Sequence, residues 1–429
     1  MTALLASSPR PGAPPCAPWP RQGGFFGLNR AVTNTDSTST CTDPDPSDRV
    51  KWMFEGHTVD SHYQHYHAHN MVLGPSMIYY RTYIGPLAIN RDDGSEAWKA
   101  WGVNPSISWA VETTFYVTDV ILGSNNVLFV PAGHTRSAEM KALDAYTGRL
   151  VWAHYRADEY QGGGAGMGAD AVYMQSYAGS GDTHKWWLVA LDRNSGEEQW
   201  KKEIDSNGSP GDSTEIQRIV KRAPLVRPDG AILTLEWSRK GGYDGVGGNV
   251  YLLRSHSATD GTEVWKRAGP HPMAWNSQGQ REIMQSTDHV FVQHHSDIEK
   301  VDASDGTLVW RYDASTNVIG TYVTLTIGYE NEIYVSGSSI FRFEDTGTGL
   351  EEEWRLVPHQ LGVGLSSTTY LSASLSDDGT LYVQGNRYLL AVGVDGVLRW
   401  SQTNTGYRTD GGRRIYASVA IGDDRIVHT

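Results

Sequence analysis

One short segment recurs along this chain and restricts the folds open to it: an apolar pair, Asp, two residues, a hydroxyl or acidic residue with Gly, three residues, then Trp. It is clearest as ALDAYTGRLVW ending at Trp152 and ALDRNSGEEQW ending at Trp200. AINRDDGSEAW ends at Trp98, SHSATDGTEVW at Trp265 and KVDASDGTLVW at Trp310. Two copies are irregular: FRFEDTGTGLEEEW reaches Trp354 with an extra residue after Gly349, and AVGVDGVLRW reaches Trp400 one residue short. Trp52, in VKWMFEG, has a strand-like setting without the preceding turn. The spacing of these tryptophans, 44 to 65 residues, suits a unit of four short strands with their turns.

Eight tryptophans lead us to expect an all-β, eight-bladed β-propeller with four-stranded blades. Each blade would run from an inner strand A through B and C to an outer strand D carrying the Trp. The Asp-x-x-x-Gly step is then the C-to-D turn, with Gly supplying a positive φ, and the Trp ring packs between neighbouring blades. The C-terminal YASVAIGDDRIVHT reads as two strands, with VKWMFEG supplying the outer strand that closes the ring and removes its open sheet edges. Residues 1–49 form an N-terminal arm and 50–429 a single propeller.

Composition agrees with a closed β-protein. Only 39% of the residues are hydrophobic, but 15 Trp and 22 Tyr supply large rings for burial, and 47 Gly fit frequent tight turns. A net charge of -13 argues against non-specific binding to nucleic acid or an anionic membrane, since both need clustered cations. The two cysteines, Cys16 and Cys41, precede the first repeat, so no disulfide framework holds the main body. No apolar stretch reaches the length of a membrane span. As written, the start carries no secretory leader and the expected compartment is the cytoplasm; an upstream leader would place the chain in the periplasm.

The repeats resemble the quinoprotein alcohol dehydrogenase-like superfamily, in particular its short single-propeller branch with PQQ-like repeats. PWPRQGGFFGLNRAVTNTDS, residues 18–37, is similar to the lead-in of that branch. The resemblance covers roughly residues 18 to 429. It implies either a protein-binding scaffold, like the lipoprotein of the outer-membrane barrel-assembly machinery, or a PQQ dehydrogenase. Against the dehydrogenase, the sequence has no adjacent cysteine pair and no calcium-binding set can be placed, so PQQ is not expected.

In a propeller, chemistry is expected where D-to-A and B-to-C loops crowd the channel mouth. The first such loop holds His57, Asp60, His62, His65, Tyr66, His67 and His69. On an extended strand His65, His67 and His69 share one side, a pattern suited to zinc, copper or manganese. Single imidazoles there also suit acid-base work. Our catalytic candidates are His62, His65, Asp60, Tyr66, Asp158, Glu159, His271, Tyr407 and Arg408; our substrate-binding candidates are Trp109, Arg136, Trp237, Trp275 and His294. This gathering on one face leads us to expect a non-redox lyase, isomerase or cyclase acting on a small organic or sugar-like molecule. The alternatives are the scaffold, with a protein partner, and the quinone dehydrogenase.

Overall fold

The computed structural model describes residues 71–82, 85–100, 120–134, 137–178, 185–204, 223–238, 250–270, 282–285, 288–294, 297–313, 324–328, 332–337, 339–357, 371–385, 388–403, 420–421 and 427–428. Blade 1 is β1–β4 (Met71–Leu73, Met77–Thr82, Gly85–Asn90, Glu96–Lys99), and blade 2 is β5–β8 (Ile121–Leu122, Val127–His134, Ser137–Asp144, Leu150–Ala157). Blade 3 is β9–β12 (Tyr160–Met167, Ala171–Ala178, Lys185–Asp192, Glu198–Ile204), and blade 4 is β13–β16 (Leu225–Val226, Ile232–Ser238, Val250–His256, Glu263–Pro270). Blade 5 is β17–β20 (Glu282–Gln285, His289–His294, Asp297–Asp302, Leu308–Asp313). Blade 6 is β21–β24 (Thr324–Ile327, Glu332–Ser336, Ile340–Asp345, Leu350–Leu356), and blade 7 is β25–β28 (Leu371–Leu375, Leu381–Gly385, Tyr388–Val392, Leu398–Thr403). Each is an antiparallel meander in sequence order. β29 (Ala420–Ile421) and β30 (Val427–His428) form a separate two-stranded hairpin, with β29 beside β1.

The described residues therefore hold seven four-stranded blades, and the expected eight is corrected to seven. The tryptophan count overshot because a Trp marks one outer strand, not a blade. Trp52 is the copy without a preceding turn, and with the closing strand expected at VKWMFEG it lies outside the described residues.

The repeat motif is explained by one contact made at successive blade boundaries. Within a blade, the outer-strand Trp lines up with a C-strand residue and then a B-strand aromatic: Trp98 with Ala88 and Tyr79, Trp152 with Ala142 and Phe129, Trp200 with Ala190 and Tyr173. The small alanine between them lets the two rings approach, with centroids 6.1, 5.9 and 5.9 Å apart. Blade 4 uses Leu233 and Ser255 in this row beside Trp265. In all seven blades the C–D register slips by one residue immediately beside the Trp position, a bulge that increases local twist.

Across the boundary the indole N–H donates to the next blade's C-to-D turn. Trp98 Nε1 donates to the Ala145 carbonyl at 2.8 Å, Trp152 to Arg193 at 3.1 Å, Trp200 to Ala258 at 2.9 Å and Trp265 to Ala303 at 3.1 Å. That turn is shaped by its Asp: Asp192 Oδ1 accepts from the backbone N–H groups of Asn194 and Ser195, which holds its carboxyl below the usual range. Gly196 follows at φ 74°, and a Cβ there would stand 2.5 Å from the Trp152 ring. The glycine thus meets two demands together, a left-handed backbone and a surface flat enough for an indole. Apolar burial accordingly runs between blades: Phe129, Met140 and Trp152 of blade 2 share a cluster with Val172, Met174 and Val189 of blade 3.

Two glycines separate these demands. Gly347 has φ 84°, but a Cβ there would meet nothing within 4 Å, whereas Gly196 has both the positive φ and the indole. We expect Gly347→Ala to cost about 1–2 kcal/mol, from the backbone alone. Gly196→Ala should cost about 1–3 kcal/mol more through displacement of Trp152. Denaturant midpoints of the two variants against the parent measure the difference; equal costs would show that the indole contact adds nothing to the demand for glycine.

Candidate functional site

Four of the candidate residues fall within the described part, and all four lie at the same end of their strands, the face carrying D-to-A and B-to-C connections. Asp158 and Glu159 form the connection from β8 to β9. Trp237 lies near the end of β14, opposite Tyr251, and His294 ends β18, opposite Asp297. They belong to different blades, so the shared face is the extent of their grouping. Asp60, His62, His65, Tyr66, His67, His69, Trp109, Arg136, His271, Trp275, Tyr407 and Arg408 lie outside the described residues. Among the described residues, no three His, Cys, Asp or Glu side chains group to hold a metal.

Asp158 is exposed and adopts φ 61°, a conformation that costs a non-glycine residue some strain and turns the chain sharply from one blade into the next. That turn directs Glu159 into the seam between blades 2 and 3. Its Oε2 accepts from Arg156 Nε at 2.6 Å and from Ser176 Oγ at 2.6 Å, and its Oε1 from Arg156 Nη2 at 2.8 Å and Lys201 Nζ at 2.7 Å. Arg156 also binds Glu198 of blade 3, and the Lys201 ammonium stands 3.8 Å from the centre of the Trp187 ring. Burial acts to raise the Glu159 pKa, but the bonds from Arg156, Lys201 and Ser176 outweigh it and hold the carboxyl at about 2. Such a group is an ionised clasp between blades. At neutral pH it has neither a proton to give nor a free lone pair placed to take one.

A second clasp on the same face joins blades 4 and 5. The fully buried Glu299 of β19 accepts from the Tyr251 hydroxyl and from Arg267, at 2.9 Å from Nη2 and 3.2 Å from Nε. Burial first, and the Glu299 charge second, push the Tyr251 phenol well above its usual range, so it remains a hydrogen-bond donor. Arg311 approaches Glu299 at 4.0 Å and also binds the buried Asp297.

Our sequence reading missed Arg156, Ser176, Lys201, Tyr251, Arg267 and Glu299. A signal existed for the first clasp once the repeats are aligned: Arg156 follows Trp152 by four residues, while Glu198 and Lys201 flank Trp200. Arg156 stands four residues after its Trp and Glu198 two before its own, so the signal is only that consecutive outer strands carry opposite charges, without a shared repeat position. Glu299, inside DIEKVD, has no comparable signal, because its partners come from two strands of the preceding blade.

A sequence profile of the family described as outer membrane protein assembly factor BamB matches residues 78–236 and 250–427. The chain belongs to that family. Its fold is a PQQ-like repeat β-propeller, and solved structures agree with the BamB-family assignment at the level of fold. BamB from Moraxella catarrhalis is 15% identical, with 83% of this chain and 94% of that chain covered and a TM-score of 0.51. A europium-containing methanol dehydrogenase is 13% identical over 83% of this chain and 80% of its own, with a TM-score of 0.56. The quinohemoprotein alcohol dehydrogenase ADHIIG from Pseudomonas putida HK5 is 12% identical over 78% and 66%, also at 0.56. No curated protein matches the chain. Glu159, Glu299 and Asp297 are each bonded to Arg, Lys or Tyr within a seam, which leaves none of these three to serve a quinone-metal centre of the dehydrogenase kind.

The Glu159 clasp carries a pH signature. Because its folded pKa lies below the ordinary 4.5, its contribution is complete above about pH 4.5 and is lost as pH falls toward about 2. We expect Glu159→Gln to lower stability by about 1–3 kcal/mol at neutral pH, where Arg156 and Lys201 lose their shared partner. The gap between variant and parent should close as pH is lowered through that window. Urea unfolding followed by tryptophan fluorescence reads it; a gap independent of pH would show that the Glu159 charge is not what holds the seam.

Proposed function

We propose that this protein is a protein-binding scaffold propeller of the outer-membrane assembly type. The observation that carries the reading is the match to the assembly-factor family through both halves of the ring. The site chemistry supports it in a second way. Of the acid-base candidates, Glu159 is committed to a clasp that joins blades, which suits a rigid docking platform better than proton transfer. The likeness to dehydrogenases, at 12–13% identity, bears on the fold alone. Of the described residues, none forms a helix long and apolar enough to cross a membrane. A scaffold of this kind would reach the membrane through its partner or an anchor.

In-cell cross-linking of the tagged full chain in its native host, followed by identification of the linked proteins, tests this reading. We expect components of the barrel-assembly machinery to be linked, and outer-membrane β-barrel proteins to fall in abundance when the gene is deleted. Unchanged barrel levels together with no assembly component in the cross-linked fraction would overturn it.

A further inference from the structure

The outer strand of a blade is an open sheet edge, and proteins that leave such an edge in solvent guard it with charged side chains, Lys above all. β8, the outer strand of blade 2, is the terminal strand of its sheet and is eight residues long. Its exposed positions are Leu150, Val151, Ala153, Tyr155 and Ala157, none of them charged. Tyr155 is 59% and Val151 52% exposed, so these side chains stand in solvent and are not the fringe of a core. Every other described outer strand carries charge at an exposed position: Lys99 on β4, Lys202 on β12, Lys266 on β16, Arg311 on β20, Glu353 on β24 and Arg399 on β28.

The two faces of β8 are used differently. Trp152, His154 and Arg156 alternate toward blade 3, where the indole and the imidazole meet the Arg193 and Gly196 carbonyls at 3.1 and 3.2 Å. Arg156 on that face is bonded to Glu159 and Glu198, so its charge is taken into the seam and none is left for the edge. Val151, Ala153, Tyr155 and Ala157 alternate to the opposite face and form an apolar strip along the strand.

Charge then decides what can pair with this edge. A strand bearing Lys or Arg finds no carboxylate among the exposed positions of β8, and one bearing Asp or Glu finds no cation. An equally uncharged strand meets it without loss, and β8 is itself such a strand. Antiparallel pairing about a two-fold axis at Ala153 sets Val151 of one copy opposite Tyr155 of the other, twice, with Ala153 facing itself across the axis. A β-branched side chain opposite an aromatic ring stabilises a strand pair, and the alanine between them is small enough for close approach. The same operation at the centre of β12 or β24 would set Lys201 or Glu353 against its own copy, which is unfavourable. We propose that β8 is a homodimerisation edge, at which two copies of this chain join blade 2 to blade 2 in one continuous antiparallel sheet. A single strand pair buries less than the about 1,200 Å² of a stable interface, so the association is weak. Dimerisation is a property of the isolated chain, and it can fail while the scaffold reading stands.

Sedimentation velocity of the purified full chain tests the proposal. We expect the dimer to hold about a tenth of the chains at about 5 µM and about seven-tenths at about 500 µM, the course of a dissociation constant of about 100 µM. Each copy carries a net charge of -13, so raising NaCl from about 50 to about 500 mM should screen the repulsion and strengthen the association. Ala153→Lys, which puts two ammonium groups on the axis, and Tyr155→Lys, which removes both aromatic pairs, should each weaken it by about tenfold. Val264→Lys, at an exposed apolar position of β16, should leave it unchanged. Thermal melts verify folding of each variant. The proposal is overturned if the chain stays monomeric at about 500 µM, if salt weakens the association, if both β8 variants dimerise as the parent does, or if Val264→Lys disrupts the dimer equally. A chain that is monomeric alone, and whose Tyr155→Lys variant loses cross-linked proteins in the cell, would also overturn it by giving the edge to a partner's strand.

Discussion

The outer-strand indole resting on the next blade's C-to-D turn, a contact made by blades 1 to 6, is the one on which the rest of this ring depends. A single four-stranded antiparallel sheet of this length has two apolar faces and cannot cover either alone. The Trp, the turn glycine and the turn carbonyl together register one blade against the next, so a blade acquires its core only from its neighbours. The distribution of buried residues follows from this: Trp265 and Trp310 are covered in one continuous cluster that extends from Leu225 to Phe343, across blades 4 to 6. Blade 6 shows how the contact adapts when the turn changes. There the turn glycine stands clear of any indole, and Trp310 Nε1 donates to the Asp345 carboxylate at 2.9 Å while Lys300 pairs with the same carboxylate at 2.6 Å.

Where blades 2 and 3 and blades 4 and 5 meet, the opposite end of the seam is held by charge. Glu159 and Glu299 occupy seams at the face where the chain passes from blade to blade, and each gathers cations from the outer strands on both sides or from the preceding blade. Buried ion pairs of this kind add little net stability over apolar packing, but they penalise any displacement that would leave one charge alone. Their effect is to fix the relative setting of neighbouring blades. A fixed face would suit the docking role proposed above.

Blade 3 departs from the pattern in one place. Its inner strand is glycine-rich and slips in register where the other face of the same sheet is anchored by Ser176 and Glu159. Anchoring on one face and a bulge on the other make this the one described A–B strand pair with a register shift. Irregularities of this sort persist when the surroundings determine them strongly, as the clasp does here.

How far the sequence alone reached can be judged from particular residues. The repeat segment determined the all-β class, the four-strand unit, the C-to-D turn with its Asp and Gly, and the role of Trp98, Trp152, Trp200 and Trp265, because these are local patterns with a single steric solution. It also placed Asp158 and Glu159 on the connecting face, since strand alternation dictates which loops share a side. Counting blades from tryptophans failed at Trp52, because a strand without its turn does not specify which sheet it joins. The role of Glu159 was likewise beyond reach: as a loop carboxylate it reads as an acid-base candidate, and only its meeting with Arg156, Ser176 and Lys201 makes it a clasp. Long-range pairing of charges depends on the angle between blades, which no local pattern encodes. Tertiary structure therefore decided which polar residues are spent in the seams.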